Sequence, residues 1–184
     1  MDKQNYFNSV TQQVLELKDL AAVQVEKCFD LQKLKEMLPP ETAGKIQRVI
    51  VTGCGDSYSA AGAMRPALRE LSGIYDCSAP DVVDFCRYYT ENRILKRHCP
   101  EEVLVISISF SGNSVRAAEA LERAKNLGLY SLAITGNKAS RCGEAAELVL
   151  DVETPQGCNT PGLRSYYASL VALSAVGAYL GLCR

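Results

Sequence analysis

The sequence predicts an α/β fold around a five-stranded parallel sheet. Three observations carry this. Short β-branched runs alternate with helical stretches, which implies right-handed crossovers between parallel strands. Two of those runs end in glycine- and serine-rich turns that open straight into helices. The chain has 184 residues, 47% of them hydrophobic, enough for one domain with a buried core.

Residues 1–44 read as a helical arm ahead of the first strand, and 45–184 as the domain proper. In the arm, Val10, Val14, Leu17, Ala21, Val25 and Cys28 step by four and three, one apolar helix stripe. Leu31, Leu34 and Leu38 continue it past a break near Asp30, and Pro39-Pro40 stops it. A helix covering the outside of the sheet is the expectation.

Strands are predicted at 48–52 (RVIVT), 74–78, 103–109, 131–135 and 148–152. Helices are predicted at 59–71, at 81–89, after the turn at 109–114, and at 140–146. The helix after 114 turns Ala117, Leu121 and Ala124 inward, pairs Glu119 with Arg123 on its wet face, and ends at Gly128. The polar stretch 91–102 reads as a connection; it holds His98, the one histidine, expected to be solvated. A turn-rich loop spans 153–162.

The last helix, about 163–183, has no charge between Arg164 and Arg184. That overlaps with the composition of a membrane span, but tyrosines, serines and glycines dilute it. A helix buried on nearly all faces is expected instead. One sheet face covers only one side, so a second protomer or a second domain is expected on the other.

The turn Ser109-Phe110-Ser111-Gly112-Asn113-Ser114 stands where a buried strand gives way to a helix N-terminus. Unpaired N–H groups and the helix dipole favour an anion there. Hydroxyls add donors without charge, and Gly112 is expected to let the backbone approach a ligand closely. One cap residue would suffice for the helix, so three serines point to a phosphate site. The turn Gly53-Cys54-Gly55-Asp56-Ser57 is a second such unit. It has Tyr58 at the third glycine position of a dinucleotide fingerprint, and it has no G-K-[ST], so neither a dinucleotide nor a nucleoside triphosphate is expected. In the common strand order 2-1-3-4-5, strands one and three are neighbours and a crevice opens at their carboxyl ends. Ser57, Ser109, Ser111 and Ser114 then converge on one anion.

The net charge is −1 with scattered Lys and Arg, so no nucleic-acid partner is expected. The polar start, 1–8, does not resemble a signal peptide, and no membrane partner is expected. Eight cysteines occur without a C-x-x-C pair, so neither a zinc site nor any other metal or cofactor is expected, and a reducing cytoplasmic compartment is. Cys54 sits beside the proposed anion, where packing is the expected role.

G-C-G-D-S-Y (53–58), the S-x-S-G-N-S turn (109–114) and A-I-T-G-N (133–137) together resemble the sugar isomerase (SIS) domain. The resemblance runs from about Lys45 to Gly181. It implies a three-layer α/β/α sandwich and a phosphosugar ligand. It implies phosphate held by Ser109, Ser111, Ser114 and turn N–H groups, with Ser57 from the first loop; Gly55, Asp56, Phe110, Gly112 and Asn113 complete the candidate site. The first loop and arm look most like the first half of tandem-SIS proteins: the isomerase module of glucosamine-6-phosphate synthase, ketose/aldose-6-phosphate isomerases and fructosamine-6-phosphate deglycases. This chain departs from the synthase-like pattern at Asp56, where that pattern has Thr, and at Phe110, where it has Gln. Asp56 stands beside a proposed phosphate. It can face sugar hydroxyls, cap the following helix or meet an amine; capping is the expectation.

Aldose–ketose isomerisation needs a positioned base. The resemblance implies a Glu at the start of the last helix in single-domain members, but 162–167 reads G-L-R-S-Y-Y. Glu144, Glu153 and His98 match no catalytic slot. Three readings follow: the first half of a tandem isomerase or deglycase that depends on a second half, a phosphosugar sensor without chemistry, or a single-domain isomerase with a partner subunit lending His98 or a Glu.

Overall fold

The computed structural model describes residues 8–154 and 162–184. The polar start up to residue 7, most of the predicted loop 153–162, and Cys158 lie outside the described residues.

Five parallel strands pair in the order β2-β1-β3-β4-β5. They are β1 (Arg48–Gly53), β2 (Asp76–Ser78), β3 (Val103–Ile108), β4 (Tyr130–Thr135) and β5 (Leu148–Asp151). Helices α1 (Ser9–Cys28), α2 (Leu31–Met37) and α3 (Pro40–Ala43) precede β1. Helix α4 (Asp56–Ser72) joins β1 to β2, and α5 (Val82–Arg87) and α6 (Glu91–Leu95) join β2 to β3. Helix α7 (Val115–Asn126) leads to β4, α8 (Arg141–Ala145) to β5, and α9 (Leu163–Leu182) closes the fold. This is the expected three-layer sandwich with an N-terminal helical arm.

Both faces of the central strands are buried, as a parallel sheet requires. Val49, Val51, Leu104, Ile106 and Ile108 pack with Leu68 of α4 and Val176 and Leu180 of α9. Ile50, Val103 and Val105 face the other way, onto Phe85 of α5 and Ala120 and Ala124 of α7. Period-two alternation therefore divides each run between two helical layers.

Helix α9 is long and apolar enough to cross a membrane by length and composition. Within this fold no residue from Leu163 to Gly181 is exposed. The chain's own α4 and α1 pack on α9 and cover it. Gly181 lets α4 come close: a Cβ there would stand 2.1 Å from the Leu71 carbonyl oxygen.

Helix α1 forms where predicted, but its inward face is not the predicted stripe. Val10, Val14 and Val25 are 44%, 52% and 47% exposed, and only Cys28 of that series is buried. Gln13, Leu20, Gln24 and Cys28 face inward. The polar members earn their burial through hydrogen bonds: Gln24 Nε2 donates to the Glu153 carbonyl at 3.1 Å, and Cys28 Sγ donates to Gln24 Oε1. Lys27 pairs with Asp151 of β5 at 3.1 Å. Polar contacts, not an apolar stripe, dock this end of the arm.

Two further expectations change. The connection 91–102 contains α6 and a 3-10 turn at Pro100–Glu102, because Thr90 caps Arg93 N–H and Ile94 is buried. The predicted Glu119–Arg123 pair does not form. Arg123 instead donates to the carbonyls of Phe85, Cys86 and Tyr89 at the end of α5, where a cation meets unpaired carbonyls. Glu119 pairs with Arg87 at 2.8 Å and with Arg116.

His98 is not simply solvated. It contacts Asp76 at 3.2 Å, at the amino-terminal edge of the sheet. Asp76 also takes Lys96 at 2.7 Å and the buried Arg48, whose Nε donates to the Ile94 carbonyl at 2.7 Å. Burial alone would raise the Asp76 pKa, but Lys96, Arg48 and His98 outweigh it and hold the group below its ordinary 3.8. Such a carboxyl stabilises the fold above its unfolded pKa and loses that contribution as pH falls through the folded value. Asp76→Ala leaves Arg48 buried without its carboxylate and should cost about 3 kcal/mol in urea unfolding at neutral pH. The gap to wild type should shrink below about pH 4.

Candidate functional site

Strand register places the two turns side by side. Gly53 at the end of β1 lies opposite Ile108 at the end of β3. Beyond those tips Cys54 Sγ stands 3.6 Å from Ser114 Oγ. The chain leaves β1 into α4 on one face of the sheet and leaves β3 into α7 on the other. A crevice therefore opens between the tips, at the switch point of the sheet.

The 109–114 turn is anchored to its neighbour β4. Ser109 N–H donates to the Ile134 carbonyl at 3.0 Å, and Gly136 N–H donates to the Phe110 carbonyl at 2.8 Å. Ser114 is the N-cap of α7, its Oγ accepting from Ala117 N–H at 3.3 Å. Ser111 and Asn113 are exposed, and Ser111 Oγ accepts from Asn113 N–H at 3.3 Å. Ser109 forms the floor, 7% exposed. Burial raises the pKa of the Cys142 thiol beneath it, and a hydrogen bond with Ser109 partly offsets that. Ser57 is half-buried in the first turn of α4. The structure thus brings the first turn next to Ser114 through Cys54, with Ser109 buried at the base of the second turn.

Gly112 has a packing reason beside the one expected. Its φ is +70°, and a Cβ there would stand 1.8 Å from Ser140 Oγ and 2.9 Å from Thr135 Oγ1. It makes room for Ser140, the N-cap of α8. Phe110 packs its side chain against the core and offers the turn only its backbone. Ser140 and Cys142 escaped sequence reasoning; the signal available was A-I-T-G-N at 133–137, which marks where the next loop meets this one.

Asp56 does not cap α4. Gly55, with φ +55°, occupies the N-cap and no side chain caps the helix. The Asp56 carboxylate is exposed and has no hydrogen-bond or ion-pair partner among the described residues. It faces the start of α9: a Cβ on Gly162 would lie 3.6 Å from Asp56 Oδ2. None of the nine candidate residues is basic. Among the described residues no cluster of His, Cys, Asp and Glu could hold a metal ion.

The SIS domain model matches residues 87–180, which include the 109–114 turn. The chain belongs to the SIS domain family. It is 26% identical over 147 residues to glutamine–fructose-6-phosphate aminotransferase (isomerizing) of Streptomyces coelicolor, covering 80% of this chain and 23% of that protein. It is 29% identical over 137 residues to phosphoheptose isomerase of Desulfovibrio desulfuricans, covering 62% of this chain and 64% of that protein. The fold matches the C-terminal domain of glucosamine-fructose-6-phosphate aminotransferase from Francisella tularensis with a TM-score of 0.81 and 16% identity, over 100% of this chain and 50% of that one. The chain therefore spans under a quarter of the aminotransferase and about half of the solved domain.

The SIS serine turn of this chain has no positioned base in the described residues at the start of α9, where Leu163 follows Gly162. His98 lies at the opposite end of the sheet, held by Asp76. Gly112→Ala should destabilise the protein by about 3 kcal/mol, from positive φ and the collision with Ser140. Denaturation midpoints of the two forms check this.

Proposed function

We propose that this chain binds a sugar 6-phosphate at the 109–114 turn, with 45–184 as the binding domain and 1–44 as its covering arm. The observation that supports this is the proximity of the two turns, with Cys54 Sγ 3.6 Å from Ser114 Oγ. Hydroxyls and helix N-termini there suit a phosphate dianion. Ser109, Ser111, Ser114 and turn N–H groups hold it, with Ser57 from the first loop.

The domain serves as the first half of an aldose/ketose sugar-6-phosphate isomerase or a fructosamine-6-phosphate deglycase-like enzyme. A second SIS domain or a second protomer supplies the base for proton transfer. Its relatives' names, an isomerizing aminotransferase and a phosphoheptose isomerase, support phosphosugar chemistry. A second reading, a phosphosugar sensor without chemistry, is favoured by the start of α9, which reads Leu163-Arg164-Ser165 without an acid.

The S109A/S111A double variant should bind a sugar 6-phosphate at least about tenfold more weakly than wild type, because each lost bond is to a charged group. The unphosphorylated sugar should bind poorly to both. Calorimetry with equal phosphosugar affinity in the two forms would defeat the assignment.

A further inference from the structure

We propose that Cys142 is a positioning residue for the 109–114 turn. From α8 it holds the carbonyls of Gly112 and Ser114, so that the N–H groups sharing those peptide planes are turned away from α8 and left for an anion. This rests on the phosphosugar reading above and names what keeps that site in shape.

A turn binds an anion when its N–H groups are presented and its carbonyls point elsewhere. In a planar trans peptide the C=O of one residue and the N–H of the next point in opposite directions, so fixing a carbonyl fixes the N–H behind it. Three carbonyls of this turn have partners on the β4–α8 side. Phe110 C=O accepts from Gly136 N–H at 2.8 Å and from Thr135 Oγ1 at 3.4 Å. Gly112 C=O accepts from Cys142 N–H at 2.9 Å. Ser114 C=O accepts from Cys142 Sγ at 3.6 Å, beside its helical bond from Ala118 N–H. The N–H groups of Ser111, Asn113 and Val115 are thereby turned away from α8. Those of Ser111 and Val115 have no acceptor among the described residues, and that of Asn113 reaches the exposed Ser111 Oγ.

The thiol meets two demands at once. Its body is fully buried with Ala117, Ala118, Leu121 and Ala133, where a small apolar side chain fits. Its sulfur stands between the two ends of the turn, donating to Ser114 C=O and sharing a hydrogen bond with Ser109. Burial raises the thiol pKa, so the proton that makes it a donor stays in place at neutral pH. Packing alone needs only the first property. An alanine would satisfy the apolar pocket and leave both ends of the turn untied.

Calorimetry with glucose 6-phosphate would compare wild type, C142A and C142S, with urea unfolding of each alongside. C142A should bind about fivefold more weakly than wild type. C142S keeps a donor and should bind within about twofold of wild type. A hydroxyl in that apolar pocket should nonetheless make C142S the less stable of the two variants. Affinity and stability therefore rank the variants in opposite orders. Equal affinity of C142A and wild type, or affinities that follow stability, would overturn the role of Cys142 while leaving phosphosugar binding intact. Amide spectra of wild type decide the matter if a variant fails to fold. Glucose 6-phosphate should move the Ser111, Asn113 and Val115 N–H resonances, and binding that leaves all three unmoved would overturn the positioning. Failure of wild type to bind glucose 6-phosphate, or equal binding of glucose, would sink the phosphosugar reading and this inference together.

Discussion

The pairing of β1 with β3 is the constraint on which the rest depends. These strands are distant in sequence, and the chain leaves them toward opposite faces. Only when Gly53 lies opposite Ile108 do the two turns share a crevice. Gly53 itself is part of the device. A Cβ there would stand 2.7 Å from Ser57 Cβ and 3.1 Å from the Ile108 carbonyl oxygen, so a side chain would push α4 away from the neighbouring tip. A register slip of one residue would send Val49 and Ile50 to the wrong layers and break both apolar interfaces. Core packing thus holds the serine turns in position.

The outer layer follows from a second constraint. A 20-residue helix whose one charged residue is Arg164 must be covered on most sides. The sheet, α4 and α1 do this within one chain. The arm's inward face carries buried Gln13 and Gln24 rather than valines, and Gln24 reaches the Glu153 carbonyl, each satisfied hydrogen bond contributing only about 1 kcal/mol. The first turn of α1 reaches the functional end of the molecule, where Val10 and Asp56 line one cleft.

The legible and illegible parts of this sequence divide on physical grounds. The β-branched runs, the serine turn and the helix bearing Ala117 and Ala124 speak through short-range chemistry and periodicity, and they stand where that chemistry puts them. The inward face of α1 was not legible, because Gln13 and Gln24 are polar by type, and a hydropathy stripe counts Val14 and Val25 instead. The partners of Arg123 and Asp76 were not legible either. Both reach across the sequence, to carbonyls and cations that only the fold brings near. Gly112 was read as special, but one reason for it was not legible. Its lack of a side chain was visible in its type, but Ser140 lies 28 positions on and leaves no local trace.

A phosphate site without a lysine or arginine behaves differently from a basic one. Charged side chains attract any anion from several ångströms away, and long-range attraction discriminates poorly between ligands. Hydroxyls and helix N–H groups act at contact distance and demand geometry. Such a site leaves the net field near zero, so one nearby carboxylate is enough to set its sign. At the site proposed here that carboxylate is Asp56, next to Ser57 in sequence. In a lysine-rich site it would be neutralised by its neighbours and would carry little weight; beside serines its charge stays free to act on whatever the rest of the ligand presents.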